Sequence, residues 1–489
     1  VTDRQPVSRK SVATNLAWKF FERGGVQIAQ FITSIVIARI LSPEEFGVVA
    51  LLTVFIAIAT IFVQSGLNTA LIQKKDADET DSSSVFYCSL MLAALLYLLL
   101  FFSAPWIARF YHMPELTSTL RVMAVMLFPG AFNSVQNAVV AKNMQFKKQF
   151  YAGMVAVVLS GVAGIALALY NFGAWALVYQ QLLFQIITCV VLWFAVKWRP
   201  TLSFSFTRAK SLFRYGSKLL GARLIDSTYH NIVSLVIGRQ FSAETLAFHN
   251  KGKMFPFILN NNIDGSIQSV MLPAYSAHQD DMIRVKAMVR RTVTLSTYLV
   301  FPAMLGLAAM GETLIAVVLG AQWNGAVPFL QLYCLVVLLI PLQTASLQAI
   351  NAVGRSDIFF KLMVIKRIVS IVLLAVAVIF FQNVFVIVIA GLMIEMLATA
   401  INIIPNKRIL HYSASELLKD IGPNIVIALF MGGLMYALLY IPIHPIFVLG
   451  MQGIVGVVLY ALLSAAFKNP SFSYLCDIWK QKRRTKESV

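Results

Sequence analysis

Uninterrupted apolar runs of about twenty residues follow one another along almost the whole chain, and the connections between them are too short to fold by themselves. In hydrocarbon no water is present to satisfy backbone N–H and C=O groups, so a spanning segment must be a helix or part of a closed barrel. The runs have the length of a helix crossing the bilayer. With 59 % of its 489 residues hydrophobic and only 12 % charged, the chain cannot present an ordinary solvated surface. These features predict an all-α polytopic membrane protein.

Apolar windows between polar turns predict about fourteen helices, near 14–40, 45–72, 84–108, 117–141, 150–171, 174–196, 212–238, 244–273, 292–318, 325–353, 359–381, 384–405, 420–441 and 445–467. Alternate connections then collect the positive charge: Arg9 and Lys10, Lys74 and Lys75, Lys142 with Lys147 and Lys148, Lys197 to Arg214, Arg284 to Arg291, Arg355 and Lys361, Lys407 to Lys419, and the terminal KQKRRTK. The intervening turns hold only Arg39, Arg109 and Arg239. By the positive-inside rule both termini are expected in the cytoplasm. This placement accounts for most of the net charge of +19 without nucleic acid, and anionic membrane lipids suit the same basic face. The first apolar run is long and charged, so it is expected to be retained as a span and not cleaved as a signal peptide. Cys88, Cys189, Cys334 and Cys476 lie far apart without CxxC spacing and read as small hydrophobes.

The chain says one thing twice. VIARILSPEE from Val36 matches VIGRQFSAET from Val236, and PGAFNSVQ from Pro129 matches PLQTASLQ from Pro341. The first offset is 200 positions and the second 212, the difference fitting a longer connection in the second copy. Two parallel six-helix repeats follow, 1–200 and 201–410, with two additional helices and a basic tail in 411–489. Such repeats facing each other across a central cavity are transporter architecture. Ser42 and Glu44, with Ser242 and Glu244, read as capping turns, and Arg39 and Arg239 either snorkel or pair with those carboxylates.

Charges within spans are costly and mark function by default. Lys19, Glu22 and Arg23 lie in the first span, and the repeat offset places Arg223, with Lys218, at the matching depth. Arginine presents a planar donor fork suited to phosphate oxygens, so Arg23, Arg223, Lys19 and Lys218 are candidates to receive an anionic head group. The competing reading is internal pairing, with Glu22 and with Asp226. Arg223, Asp226 and His230 form one helical stripe; Lys253, Asn260, Asp264 and Gln268 form another. Asp226, Asp264 and Glu395 are candidates for a coupling proton or sodium ion. Gln64, Asn68, Asn133 and Gln136 could hydrogen-bond sugar hydroxyls or join helices to one another. Pro129, Pro256, Pro302 and Pro341 fall within spans and are expected to permit bending.

No phosphate loop, HExxH or nucleophile elbow occurs, so no cofactor, metal or enzymatic centre is expected. The runs LPAYSAHQDD, VVLGAQWNGAVPFLQLYC (317–334) and NAVGRSDIFFK (351–361) resemble polysaccharide exporters of the colanic-acid and teichuronic-acid type, in the multidrug/oligosaccharidyl-lipid/polysaccharide flippase superfamily. The resemblance implies a bacterial plasma-membrane protein that moves an undecaprenyl-pyrophosphate-linked glycan to the outer leaflet, coupled to a cation gradient, alongside polysaccharide polymerase or assembly partners. It also implies a role for Arg23 and a lipid-tail groove at the last two helices. Phe248 stands where that family more often has tyrosine. Two other readings remain: an organic-cation exporter of the same fold, which would want an acidic cavity, and a membrane glycan polymerase or glycosyltransferase, disfavoured by short outer turns.

Overall fold

The computed structural model describes residues 9–64, 66–74, 76–474 and 476–477; the side chains at 9–17, 19–23, 266 and 269 lie outside that description. Among the described residues there are helices and turns and no strand. Two compact units divide the chain, Val1–Ala247 and Phe248–Val489. The first contains α1 (Arg9–Ile40), α2 (Pro43–Gln64), α3 (Gly66–Gln73), α4 (Glu79–Tyr111), α5 (Leu116–Met123), α6 (Leu127–Lys142), α7 (Phe146–Leu169), α8 (Ala174–Ala195) and α9 (Phe206–Gln240). The helix α10 (Ala243–Ser276) leads into the second, which continues with α11 (Met282–Ala309), α12 (Gly311–Val318), α13 (Val327–Leu338), α14 (Ile340–Ala352), α15 (Ser356–Phe380), α16 (Val384–Ile409), α17 (Ala414–Ala437) and α18 (Pro445–Ala466).

Eleven helical stretches among the described residues are long and apolar enough to cross a membrane. Apolarity alone therefore does not reach the expected fourteen. The other three expected spans are α1, α9 and α10: the described part of α1 that is apolar, Gly24–Ile40, is short, while α9 and α10, with 35 and 34 residues, have ample length but carry the charged and amide-rich stripes. On the apolar helices large side chains point outward, as Leu95, Leu99, Phe102 and Trp106 do on α4. In a bilayer such faces meet lipid tails and cost nothing.

The repeat is visible in the helix boundaries. α1 ends at Ile40 and α2 begins at Pro43; α9 ends at Gln240 and α10 begins at Ala243, the same 200-residue offset. Pro129 and Pro341 stand in the first turn of α6 and of α14, just after a break in the helix. There the missing N–H has no intrahelical partner to lose. Pro256 and Pro302 do lie inside helices. Capping also repeats, with a change of partner. Ser42 caps α2, but Glu45 and not Glu44 closes the box, its Oε2 accepting from Ser42 N at 2.7 Å; in the second copy Thr245 N donates to Ser242 Oγ at 3.1 Å. Arg239 meets neither carboxylate; its guanidinium lies 4.9 Å from the Phe110 ring and 3.4 Å from His112 Nδ1.

Although α9 opens the second repeat, it packs on α2, α3 and α4. Close backbone approaches hold both of its ends. A Cβ on Gly216 would stand 2.3 Å from the carbonyl oxygen of Gly66, and one on Gly47 would stand 1.8 Å from that of Ala243. Leu212 enters a core with Leu67, Leu71, Phe86 and Val135. The polar residues 79–84, expected in the connection, form the first turns of α4: Asp78 and Asp81 form a capping box, Ser83 and Ser84 bind Thr201 and Ser205, and Asp78 pairs with Arg208 of α9.

In the second unit the pair outside the repeat is stapled to α11. Lys286 Nζ meets Glu416 Oε1 at 2.7 Å, Arg290 holds both oxygens of Asp420 at 2.6 and 2.8 Å, and Asn424 Nδ2 donates to Thr294 O at 2.9 Å. Each pair is separated by 130 positions, so α11 and α17 run parallel in one register. Tyr460 of α18 closes the arrangement on Tyr298 O at 2.9 Å. The α10–α13 contact is equally tight. A Cβ on Gly252 would meet Phe329 and Ala326 within 2.8 Å, and Phe248 packs edge-on against Trp323 at 6.1 Å. At Phe248 ring packing occupies the place where the missing tyrosine hydroxyl leaves no bond.

Gly216→Val should lower stability by about 2 kcal/mol or more, because the clash is with backbone and cannot be relieved by a rotamer. Gly221→Ala, on the same helix with nothing within 4 Å of its Cβ, should be neutral or slightly stabilising; thermal melting of purified protein checks both. The Arg208 guanidinium beside Asp78 holds its carboxyl well below the usual range, at about 2 instead of 3.8. The resulting stabilisation is present above 3.8 and lost as pH falls through about 2. The melting-temperature gap between wild type and Arg208→Gln should therefore be widest above about pH 4 and close as pH falls toward 2.

Candidate functional site

Anchored at its ends, α9 exposes its middle. Its buried residues are Ala209, Leu212 and Gly216 near one end and Ser234, Ile237 and Gly238 near the other, with none between. That exposed stretch carries Lys218, Arg223, Asp226 and His230. Lys218 lines an open cleft of about 440 Å³ with Ser211, Arg214, Tyr215 and Leu219. One turn apart on the helix, Asp226 Oδ1 and His230 Nε2 lie 3.5 Å from each other. A helix this polar does not suit lipid on its exposed face, because charged side chains in hydrocarbon are costly and face an interior or a watery cavity. The face therefore borders water or a polar ligand. Of the first-span candidates, Lys19, Glu22 and Arg23 fall on α1, but their side chains lie outside the described residues.

Within the first unit a cavity of about 270 Å³ is lined by Gln64, Asn133, Asn137, Gln149, Gln185 and Thr188, among others. No charged side chain lines it. Gln64 Nε2 donates to Gly130 O at 3.3 Å. Asn133 Oδ1 and Asn137 Oδ1 are buried without a hydrogen-bond partner, as are Asn68 Oδ1 and both amide atoms of Gln136 nearby in the chain. A buried amide atom without a partner loses its hydration and gains nothing. Asn133 and Asn137 line the cavity, and with Gln64, Gln149, Gln185 and Thr188 they give it polar groups that hydroxyl-rich ligands or water would suit.

In the second unit the α10 stripe divides. Lys253 lies over the Phe257 and Tyr333 rings, at 5.3 and 5.9 Å, beside a buried His249 whose Nε2 is 2.6 Å from Tyr333 Oη. Further along, Asn260 is 1 % exposed with its Oδ1 unpartnered. Asp264 accepts from Gln268 Nε2 at 2.7 Å and from Thr344 Oγ1 of α14 at 3.3 Å, while Gln348 Nε2 donates to Gln268 at 3.3 Å. Glu395 of α16 accepts from Gln343 Nε2 at 2.6 Å, and Gln343 Oε1 in turn lies 3.3 Å from Lys366 Nζ of α15. Asp264 and Glu395 thus contact successive residues of one helix.

Residue-by-residue reading missed Lys366 and Gln343, and in the first unit Gln149, Gln185 and Thr188. Lys366 was legible by the criterion that selects Arg23, an ionisable group inside an apolar run. The amides carried no such signal, since a single Gln in a membrane helix reads equally as helix-to-helix glue.

Residues 36–328 match the family model described as polysaccharide biosynthesis protein. The chain is 26 % identical over 364 residues to the succinoglycan biosynthesis transport protein ExoT of Rhizobium meliloti, covering 74 % of each. It is 26 % identical over 358 residues to the teichuronic acid biosynthesis protein TuaB of Bacillus subtilis, covering 73 % of this chain and 74 % of that one. With the lipopolysaccharide biosynthesis protein WzxC of Escherichia coli the identity is 24 % over 69 % of each. Among solved structures, the lipid II flippase MurJ in an inward closed conformation aligns with a TM-score of 0.72 at 14 % identity, over 93 % of this chain and 98 % of that chain. An inward-facing multidrug transporter of the MATE family aligns with a TM-score of 0.57 at 16 % identity, over 80 % of this chain and 96 % of that one. The fold is that of the flippase superfamily, and with a family model matched over more than half its length this multi-pass membrane chain belongs to the polysaccharide biosynthesis protein family.

Proposed function

We propose that this protein flips an undecaprenyl-pyrophosphate-linked oligosaccharide from the cytoplasmic to the outer leaflet of a bacterial plasma membrane by alternating access. The observation that carries the reading is the exposed, cationic middle of α9, a membrane-length helix that no lipid-facing role explains. Its Lys218 and Arg223 suit a pyrophosphate, and Arg214 at the cleft adds a third cation. The amide-lined cavity of the first unit suits the neutral hydroxyls of a glycan. The relatives' names, which include a succinoglycan transport protein and a teichuronic acid biosynthesis protein, support the same substrate class. The basic loops place both termini in the cytoplasm on this reading, and a proton or sodium gradient drives the cycle. Polysaccharide polymerase or assembly proteins are the natural partners at the outer face. An organic-cation antiporter of this fold is disfavoured by the same α9 cations, which would repel its substrate.

In proteoliposomes holding an undecaprenyl-pyrophosphate-linked oligosaccharide, wild type should flip the glycolipid under an imposed proton or sodium gradient and Arg223→Ala should slow flipping about tenfold or more, the loss of a charge-assisted contact. Movement of organic cations but not glycolipid by wild type would overturn the reading. Asn133→Leu tests the cavity. Replacing a buried amide whose oxygen has no partner should leave the melting temperature unchanged or raise it while reducing flipping. A clear fall in melting temperature would make Asn133 structural glue.

A further inference from the structure

Three helices of the second unit bring an acid, an amide and a base into line. Glu395 stands near the middle of α16, Lys366 ~15 Å along α15, and Gln343 in the first turn of α14. The amide of Gln343 has one satisfactory orientation here. Its NH2 only donates and its carbonyl only accepts, so Nε2 faces Glu395 Oε2 at 2.6 Å and Oε1 faces Lys366 Nζ at 3.3 Å. The arrangement is an acid and a base bridged by a single amide.

We propose that Glu395 is the group that takes up and releases the coupling proton, with Gln343 and Lys366 as positioning residues that set its charge state. The assignment rests on the flippase reading for its purpose and on the geometry for its chemistry. The step is a simple protonation: the Glu395 carboxylate binds a proton from one aqueous side to give the neutral acid and returns it to the other side. With Glu395 ionised, Lys366 neutralises it across the amide. With Glu395 protonated, one of its oxygens becomes a donor, the Nε2 bond weakens and the Lys366 charge loses its counterion.

The consequence falls on a helix able to move. Gln343 follows Pro341 by two residues, in the first turn of α14 just past the break from α13, where the proline has no N–H with which to bond back to the preceding helix. Its neighbour Thr344 contacts Asp264 of α10, so a change at Glu395 reaches a second, half-buried carboxylate through one turn of α14.

The surroundings favour a proton over a metal cation at Glu395. α16 packs against α13, α14 and α15. From α15 the charged groups acting on Glu395 are Lys366 and Arg367. α14 contributes no charge. α13 meets α16 through Phe329 on Phe385, ten residues from Glu395, and its Tyr333 is bound to His249. A sodium ion would enter beside a resident ammonium in a low-dielectric site, where like charges repel strongly. Asp264 is the rival: its described partners are neutral, and the unpartnered Asn260 Oδ1 lies one turn away on the same helix.

The first test needs no glycolipid, so its outcome is independent of the flipping assay. Infrared difference spectra of the purified full chain across a pH titration should show a protonated-carboxyl C=O band that Glu395→Gln removes. Lys366→Met should shift that band's titration upward by about one pH unit or more, which a merely structural lysine would not do. Glu395→Asp, expected to retain a shifted band, covers the case in which Glu395→Gln fails to fold. A band unchanged in Glu395→Gln, removed instead by Asp264→Asn, or titrating identically in Lys366→Met would overturn the assignment. So would a sodium gradient driving flipping by Glu395→Gln as well as by wild type.

Discussion

A bilayer does not hydrogen-bond to a protein, and the rest of the structure depends on that. Every backbone polar group must be paired within its own helix, and every side-chain charge must find a partner or a wet surface. The chain meets the first demand with helices throughout the described residues. It meets the second by sorting. Eleven stretches are clean enough to face lipid, while α1, α9 and α10 concentrate the charge and amides. A helix that is too polar for lipid is committed to an interior or aqueous face, and α9 and α10 are the two whose full length is described and fails the test of apolarity.

Two kinds of contact hold the helices in place. Glycines permit backbone approaches that no side chain could tolerate, at Gly47 on Ala243 and Gly66 on Gly216, and these hold α9 near its start and just past its end while no residue in its centre is fully buried. Ion pairs and amides do the opposite at α17, joining it to α11 at every fourth residue along a shared register. One design leaves a polar face available. The other binds a pair of helices that lies outside the repeat to a helix that lies within it.

Local signals carried most of the fold. The Ser42 and Ser242 caps and the 200-residue offset of the helix ends could be read from short strings, because capping acts within one turn, whereas Pro129 and Pro341, read as lying within spans, stand in the first turns of α6 and α14. Even there the closing carboxylate was Glu45 and not Glu44, a difference of one residue that spacing alone does not resolve. Candidate residues were legible where cost made them conspicuous: Asp264 and Glu395 stand out as acids in apolar runs. Gln343 did not, because an amide is cheap enough to appear anywhere.

The amino-acid sequence by itself determined that this protein is helical, lies in a membrane and repeats its first half in its second, since hydrophobic run length, capping and internal similarity are properties of neighbouring residues. Only the tertiary structure decided that α9, first helix of the second repeat, packs with the first unit, that five carboxamides share one cavity, and that residues 343, 366 and 395 form one line. Those outcomes depend on which faces of distant helices meet, and helix periodicity states which face is polar without naming its partner.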